Sequence, residues 1–241
     1  MIKIGLLLIS ALSLWLHGYY FSTGDQAIYV PFVTHHLQPQ LFSGDYIASL
    51  PEGKLSLFFP FMAWLISVSN IDMQWPYIGL YFIFHFAFTW CVYKLSYAVT
   101  RNSPAAWLAT IWLMIPRFVG GTTISTLDTA WFPRFFILPL FIVSLRWLFL
   151  RQYIFVAIST AIIAIIHPFS AVYLGIFLFG FIIWDKNYRQ LVFTSLIMTV
   201  SVAWLLWQKV SLAFASSDPL VMPADWLAVV ANRLPYVFMR L

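Results

Sequence analysis

Charged residues are scarce in this chain, and their scarcity decides which solvent the protein lives in. Only 9% of its 241 residues are Asp, Glu, Lys or Arg, against about a quarter in an ordinary soluble domain. Hydrophobic residues make up 62% of the chain and the mean hydropathy is +0.88. A composition this apolar predicts an integral membrane protein.

Cysteine and the common catalytic motifs are also scarce or missing. The single cysteine, Cys91, gives no disulfide framework and no cysteine-based metal motif. Without a phosphate-binding glycine loop, a zinc-protease motif or a nucleophile elbow, nucleotide-driven transport and the common hydrolases lack support. The net charge of +5 comes from Lys and Arg scattered between apolar runs. They form no basic stripe, so we expect no nucleic-acid partner.

Seven apolar runs come close to the roughly 20 helical residues that cross a bilayer core. They are Ile4 to Tyr20, Pro76 to Val99, Pro104 to Val119, Trp131 to Leu150, Tyr153 to Ile166, Pro168 to Trp184 and Leu191 to Trp207. We therefore predict an all-α polytopic bundle of about seven transmembrane helices, forming one domain over residues 1–241. A cleaved signal peptide is the alternative for the first run, although no small-residue cleavage site follows it.

An eighth run, Leu55 to Ser69, is too short for a simple span. It has 15 residues, interrupted by Pro60, which is about 22 Å of helix. It is predicted to be an interfacial or re-entrant helix, and a second surface helix is predicted over "AIYVPFVTHHL", Ala27 to Leu37. The alternative, a full span at Leu55 to Ser69, would invert every later loop.

The distribution of charge favours the interfacial alternative. It places seven basic residues near helix ends on the cytoplasmic side, namely Lys3, Lys94, Arg101, Arg146, Arg151, Lys186 and Arg189, in accord with the positive-inside rule. Residues 1–20 then form the first span, 21–75 an outer loop, 76–207 six further spans, and 208–241 an outer segment. The N-terminus is expected in the cytoplasm.

The motifs in the outer loops make the chain resemble a known superfamily. The first loop opens with "TGDQAIY", the second carries "GGTTISTLDTAWFPR", and "HP" follows at His167. From about Met1 to Trp207 their order and spacing are similar to the GT-C membrane glycosyltransferases, in layout most of all to the protein mannosyltransferase and lipid A aminoarabinose transferase type. The resemblance implies a bacterial inner-membrane transferase that takes a sugar from a polyprenyl-phosphate donor among membrane lipids. Because related enzymes are longer, residues 208–241 are expected to be an incomplete outer segment.

Sugar transfer needs a base for the acceptor hydroxyl, and a carboxylate can serve. The resemblance implies Asp25 in that role, since the family places an acid just after the first helix. The alternative is structural, because Ser22-x-x-Asp25 fits a capping box. The resemblance also implies a divalent metal ion held by Asp25 and Asp128, with an ordinary loop aspartate as the alternative for Asp128.

Cations suit the departing lipid phosphate, above all arginine with its planar fork. Arg117 and Arg134 flank the second outer loop, so we predict that they bind this phosphate; snorkelling to lipid headgroups is the alternative. Lys54 is a third phosphate candidate. His167 and Asp45 complete the predicted substrate-binding set, His167 because polar groups at membrane depth are commonly functional, although backbone bonding could satisfy it, and Asp45 because "SGD" places it in a turn.

Three functions remain open on this sequence. The first is an inverting glycosyltransferase acting at the outer face. The second is a transporter or flippase of lipid-linked sugars, which would use similar polar groups but typically shows related halves and broken midplane helices. The third is a truncated, non-catalytic membrane subunit.

Overall fold

The structure, a computed structural model, describes residues 2–22, 26–42, 53, 56–117, 127 and 130–215. Over these ranges the chain is helical and contains no strand, which confirms the all-α prediction for this part. The helices are α1 Ile2–His17, α2 Gln26–Leu37, α3 Phe58–Ser69, α4 Gln74–Thr100, α5 Ser103–Met114, α6 Pro133–Phe149, α7 Tyr153–Ile166, α8 Pro168–Trp184 and α9 Tyr188–Ala215, with a 3-10 turn at Pro39–Phe42.

Prolines and caps fix several of the helix starts. Asn102 is the N-cap of α5, and its side chain accepts a 3.0 Å hydrogen bond from the Ala105 N–H. Helices α6 and α8 open on Pro133 and Pro168. Proline suits the first helical turn because its fixed φ is helical and the missing N–H would have no partner there.

Helices α1, α4 and α5 are aligned by contacts along their length. Tyr19, just after α1, lies 4.8 Å from Tyr81 near the start of α4, measured between ring centroids. Lys3, near the start of α1, lies over Trp90 towards the end of α4. Helix α1 is therefore antiparallel to α4, and α5 returns beside α1, where Ser13 Oγ donates to the Met114 carbonyl at 2.6 Å.

The same polarity continues through the next helices. Phe135, at the start of α6, lies 4.8 Å from Tyr81, so α4 and α6 begin at one end of the bundle. Ser144 on α6 contacts Ser159 on α7 at 2.5 Å between hydroxyl oxygens, as expected for an antiparallel pair. We call the end where α4, α6 and α8 begin the loop end. The opposite, basic end carries Lys3, Lys94, Arg151 and Lys186, with Arg151 Nε 3.1 Å from Asp185.

Helix α3 starts and finishes at the loop end. The Leu57 N–H, just before it, donates to the Ile165 carbonyl at the end of α7 with a 3.1 Å bond. After Ser69 the chain reaches the start of α4 within five residues. With 12 residues, or about 18 Å of rise, α3 lies across the loop end and packs there against α2 and α4.

Two helices are long and apolar enough to cross a membrane, α4 and the Tyr188–Trp207 part of α9. Five further apolar helices among the described residues have between 10 and 17 residues. The helix α5 is shorter than the predicted run Pro104 to Val119, because it ends at Met114, two residues before Pro116. The bundle of seven spans therefore remains a prediction.

Candidate functional site

Gln26 connects three segments at the loop end. Its side chain is fully buried. Its Oε1 accepts a 2.6 Å bond from the Ser22 N–H, and its Nε2 donates to the Trp131 carbonyl at 3.0 Å and to the Tyr19 hydroxyl at 3.3 Å. One amide thus holds the end of α1, the start of α2 and the chain leading into α6 together.

These bonds bear on the predicted capping box. In a box formed by Ser22 and Asp25, the Asp25 carboxylate would accept from the Ser22 N–H. In the structure Gln26 accepts that bond, and α2 is described from Gln26 onward. No local pattern in the sequence singled out Gln26, since its partner Trp131 lies 105 residues away.

Burial keeps the hydroxyl of this network neutral. It raises the pKa of Tyr19 to about 12, and the hydrogen bond from Gln26 offsets only part of that shift. Tyr19 can therefore donate or accept a hydrogen bond at neutral pH but is a poor base.

Arg134 lies three residues after Trp131, whose carbonyl accepts the bond from Gln26. Phe132 is extended, Pro133 opens α6, and the Arg134 guanidinium carbon lies 5.2 Å from the centroid of the Phe132 ring. The side chain is half-buried. A guanidinium placed over a ring keeps its N–H groups directed outward from the ring edge, where an anion can meet them.

His167 lies at the α7–α8 junction. It ends α7 and starts α8, and its Nδ1 lies 2.8 Å from Ser170 Oγ. Burial lowers the pKa of the imidazole, and the positive charge of Arg134 lowers it further. The ring is therefore neutral at physiological pH, beside a permanent cation.

The second half of the first loop reaches the same place. Ser56 Oγ donates to the Ile166 carbonyl at 2.7 Å, one residue before His167. Further along, His36 Nε2 lies 3.2 Å from the carbonyl oxygen of Gly53. Gly53 thus lies beside α2 and Ser56 beside the α7–α8 junction, contacts that no local pattern in the sequence signals.

An aromatic cluster forms the floor beneath these groups. Its buried members include Tyr77, Tyr81, Trp131 and Phe135. The Tyr77 hydroxyl and Trp131 Nε1 are buried and have no hydrogen-bond partner among the residues that the structure describes. Because a buried donor without a partner costs about 1–3 kcal/mol, these two atoms are groups that a polar ligand can satisfy.

Arg117 lies just after α5 and contacts the last turn of that helix. Its Nη2 donates to the Trp112 carbonyl at 3.0 Å, and its guanidinium carbon lies 3.5 Å from the Trp112 ring centroid.

Four predicted site residues lie outside the described residues: Asp25, Asp45, Lys54 and Asp128. Their roles stay predictions, as does the divalent metal ion. Within the described ranges no group of three or more His, Cys, Asp or Glu side chains could hold a metal ion.

Comparisons with known proteins leave the family open. No family model matches the chain, and neither a curated protein nor a solved structure matches it. The likeness to GT-C transferases rests on the motifs of the sequence alone.

Proposed function

We propose that this protein is an inverting membrane glycosyltransferase that moves a sugar from a polyprenyl-phosphate donor to an acceptor at the loop end. The observation that carries the proposal is the convergence of Arg134, His167 and the Gln26-bound turn at one end of the bundle. Three segments far apart in sequence meet there, and each brings a group suited to phosphate or sugar chemistry.

The proposal first requires that the helices cross a membrane. Besides the two long apolar helices, large aromatic side chains on other helices are highly exposed, among them Trp184 at 84% and Trp15 at 79%. Exposed apolar surface on this scale favours contact with lipid. We place α1 and α4 to α9 across the bilayer and α3 on the loop side, with the basic end in the cytoplasm.

Asp25 is the proposed base. It directly precedes Gln26 in the chain, and the Gln26 amide bonds to the Trp131 carbonyl. Since Gln26 already accepts the Ser22 N–H, the Asp25 carboxylate is not required for that bond. Fixed neighbours at Ser22 and Gln26 suit a catalytic group between them, which has to be held in a productive geometry.

Arg134 and His167 are the proposed phosphate-binding pair. Arginine can meet two phosphate oxygens at once, and the neutral imidazole can donate through Nε2 while Nδ1 stays with Ser170. Lys54, two residues before Ser56, and Arg117 are proposed as outer phosphate contacts. Asp45 is proposed to bind sugar hydroxyls. Asp25 and Asp128 are the residues that would hold a divalent ion, which would add positive charge near the leaving group.

The proposed step is a single displacement. The Asp25 carboxylate takes the proton of the acceptor hydroxyl as its oxygen forms a bond to the anomeric carbon. The bond between that carbon and the phosphate oxygen breaks, and the electron pair leaves with the lipid phosphate. Arg134 stabilises the charge that builds up on the phosphate.

The test is sugar transfer by the protein reconstituted in vesicles, supplied with a panel of radiolabelled polyprenyl-phosphate sugars. Transfer should release polyprenyl phosphate, and Asp25→Asn should lower kcat by at least about a hundredfold, the usual contribution of a general base. Asp72→Asn is the matched control, since Asp72 is an exposed acid in the α3–α4 turn at the loop end. Arg134→Gln should weaken donor binding and also lower kcat, because Arg134 holds the phosphate and stabilises the charge that builds up on it.

Two results would overturn the proposal. Asp25→Asn with the activity of Asp72→Asn would remove the assigned base. Movement of the intact labelled lipid between leaflets, with no cleavage of the sugar–phosphate bond, would make the protein a transporter instead.

A further inference from the structure

An apolar groove runs along the side of the bundle between α4, α6 and α7. Its volume is about 310 Å³, and its lining includes Phe84 and Cys91 from α4, Phe136 and Val143 from α6, and Ile166 from α7. That volume lies at the lower end of the range for small-molecule pockets. The groove extends from near the loop end, at Phe136 and Ile166, towards the basic end.

Arg146 lies at the basic end of this groove. It follows the lining residue Val143 by three positions on α6, so both are on one face of the helix. The Arg146 Nε is buried and has no hydrogen-bond partner among the described residues.

A buried guanidinium nitrogen without a partner calls for an anion. Leaving a charged donor unsatisfied is more unfavourable than leaving a neutral one. The nearest acid described at this end, Asp185, is bound to Arg151 and to the Tyr153 hydroxyl. No described carboxylate forms an ion pair with Arg146.

Lys94 is a second cation towards the basic end. Lys94 follows Cys91 by three positions on α4, and its ammonium lies 5.2 Å from the centroid of the Trp90 ring. The Lys3 ammonium is 5.9 Å from the same centroid. Two cations that share one ring repel each other, and an indole flanked by lysines is typical of the headgroup level of a bilayer.

We propose that this groove binds an anionic phospholipid of the leaflet at the basic end. One acyl chain lies in the groove between α4, α6 and α7. The phosphate lies at Arg146. The site is separate from the loop-end site, since Arg146 lies near the end of α6 and Arg134 near its start.

Charge and position decide in favour of this occupant. A bare helix from another protein would fill an apolar groove but leave the Arg146 Nε without an acceptor. A phospholipid provides an acyl chain for the groove and a phosphate for the Arg146 Nε, and membranes supply phospholipids at high local concentration. The inference requires that the bundle lies in a membrane, and it is independent of the sugar-transfer activity.

Cys91 is a built-in probe of the groove, because it lines the groove and is the only cysteine in the chain. The full chain is reconstituted in vesicles of phosphatidylcholine alone or mixed with phosphatidylglycerol, and the rate of Cys91 alkylation by N-ethylmaleimide is measured. We expect phosphatidylglycerol to slow alkylation. Native mass spectrometry of the detergent-extracted protein should find phosphatidylglycerol retained.

Arg146→Gln is the decisive variant. It should weaken retention of phosphatidylglycerol about fivefold, the effect of one basic residue at an anionic membrane surface. Lys186→Gln is the control, because Lys186 is a basic residue at the same end but outside the groove. Arg146→Lys should keep part of the effect, which separates loss of charge from loss of fold.

Three outcomes would overturn the proposal. Wild-type retention in Arg146→Gln would show that the arginine does not bind the phosphate. Equal losses in Arg146→Gln and Lys186→Gln would show attraction by overall charge instead of a site. Protection of Cys91 by polyprenyl phosphate but not by phosphatidylglycerol would assign the groove to the sugar donor.

Discussion

Replacing Gln26 with alanine should destabilise the protein by about 2–4 kcal/mol. The change removes three hydrogen bonds. Trp131 is fully buried, so loss of the bond to its carbonyl strands a buried acceptor, at about 1–3 kcal/mol. Ser22 is exposed and its N–H can bond to water, so only the net value of that bond is lost, about 0.5–1.5 kcal/mol.

The assay is equilibrium unfolding in mixed micelles, followed by tryptophan fluorescence. Gln38→Ala is the matched control, because Gln38 follows α2 and its side chain is exposed. It should change the free energy of unfolding by no more than about 0.5 kcal/mol. If Gln26→Ala lowers the free energy of unfolding as little as Gln38→Ala, the Gln26 amide does not hold the first loop against the start of α6. The anchoring proposed beside Asp25 is then refuted.

Two further predictions concern pH and helix packing. The pKa of His167 is lowered in the folded state by burial and by Arg134, so below the ordinary value of 6.5 the unfolded chain binds more protons and stability falls as the pH falls. Melting temperatures recorded between neutral and mildly acidic pH should fall less steeply for His167→Asn than for wild type, and identical slopes would refute the assignment. A Cβ added at Gly5 would come within 2.8 Å of Trp107 Cη2, whereas one added at Gly79 meets nothing within 4 Å. Gly5→Ala should therefore cost about 1–3 kcal/mol in the unfolding assay, while Gly79→Ala should be neutral or stabilising by up to about 1 kcal/mol; equal stabilities would contradict the close approach of α1 to α5.

Local chemistry made the helix starts predictable. Pro104, Pro133 and Pro168 lie in first helical turns, which proline favours because it fixes φ and lacks an N–H. Helix ends were harder to predict. The predicted end at Val119 lies beyond the observed end of α5 at Met114, because the apolar composition continues past Pro116 and the helix does not.

The contacts of the loop end could not be read from the sequence. Gln26 bonds to a carbonyl 105 residues away, and Arg134 acts on His167 only because α6 and α7 are antiparallel neighbours. Such pairs depend on which helices adjoin and at what register, and one sequence carries no local signal for either. Residue type still indicated Arg134 and His167 as candidate site residues, because charged groups at membrane depth are energetically unfavourable and commonly functional.

Helix α3 also determines the parity of the proposed membrane crossings. Because it leaves and rejoins the loop end, α4 starts on the side where α1 finished, and the directions of the five helices after α4 follow from that. About eight added apolar residues would bring its 12 residues to spanning length. A short insertion there could therefore turn all later helices over and move Arg134 and His167 to the opposite side of the membrane, without altering a single residue near them.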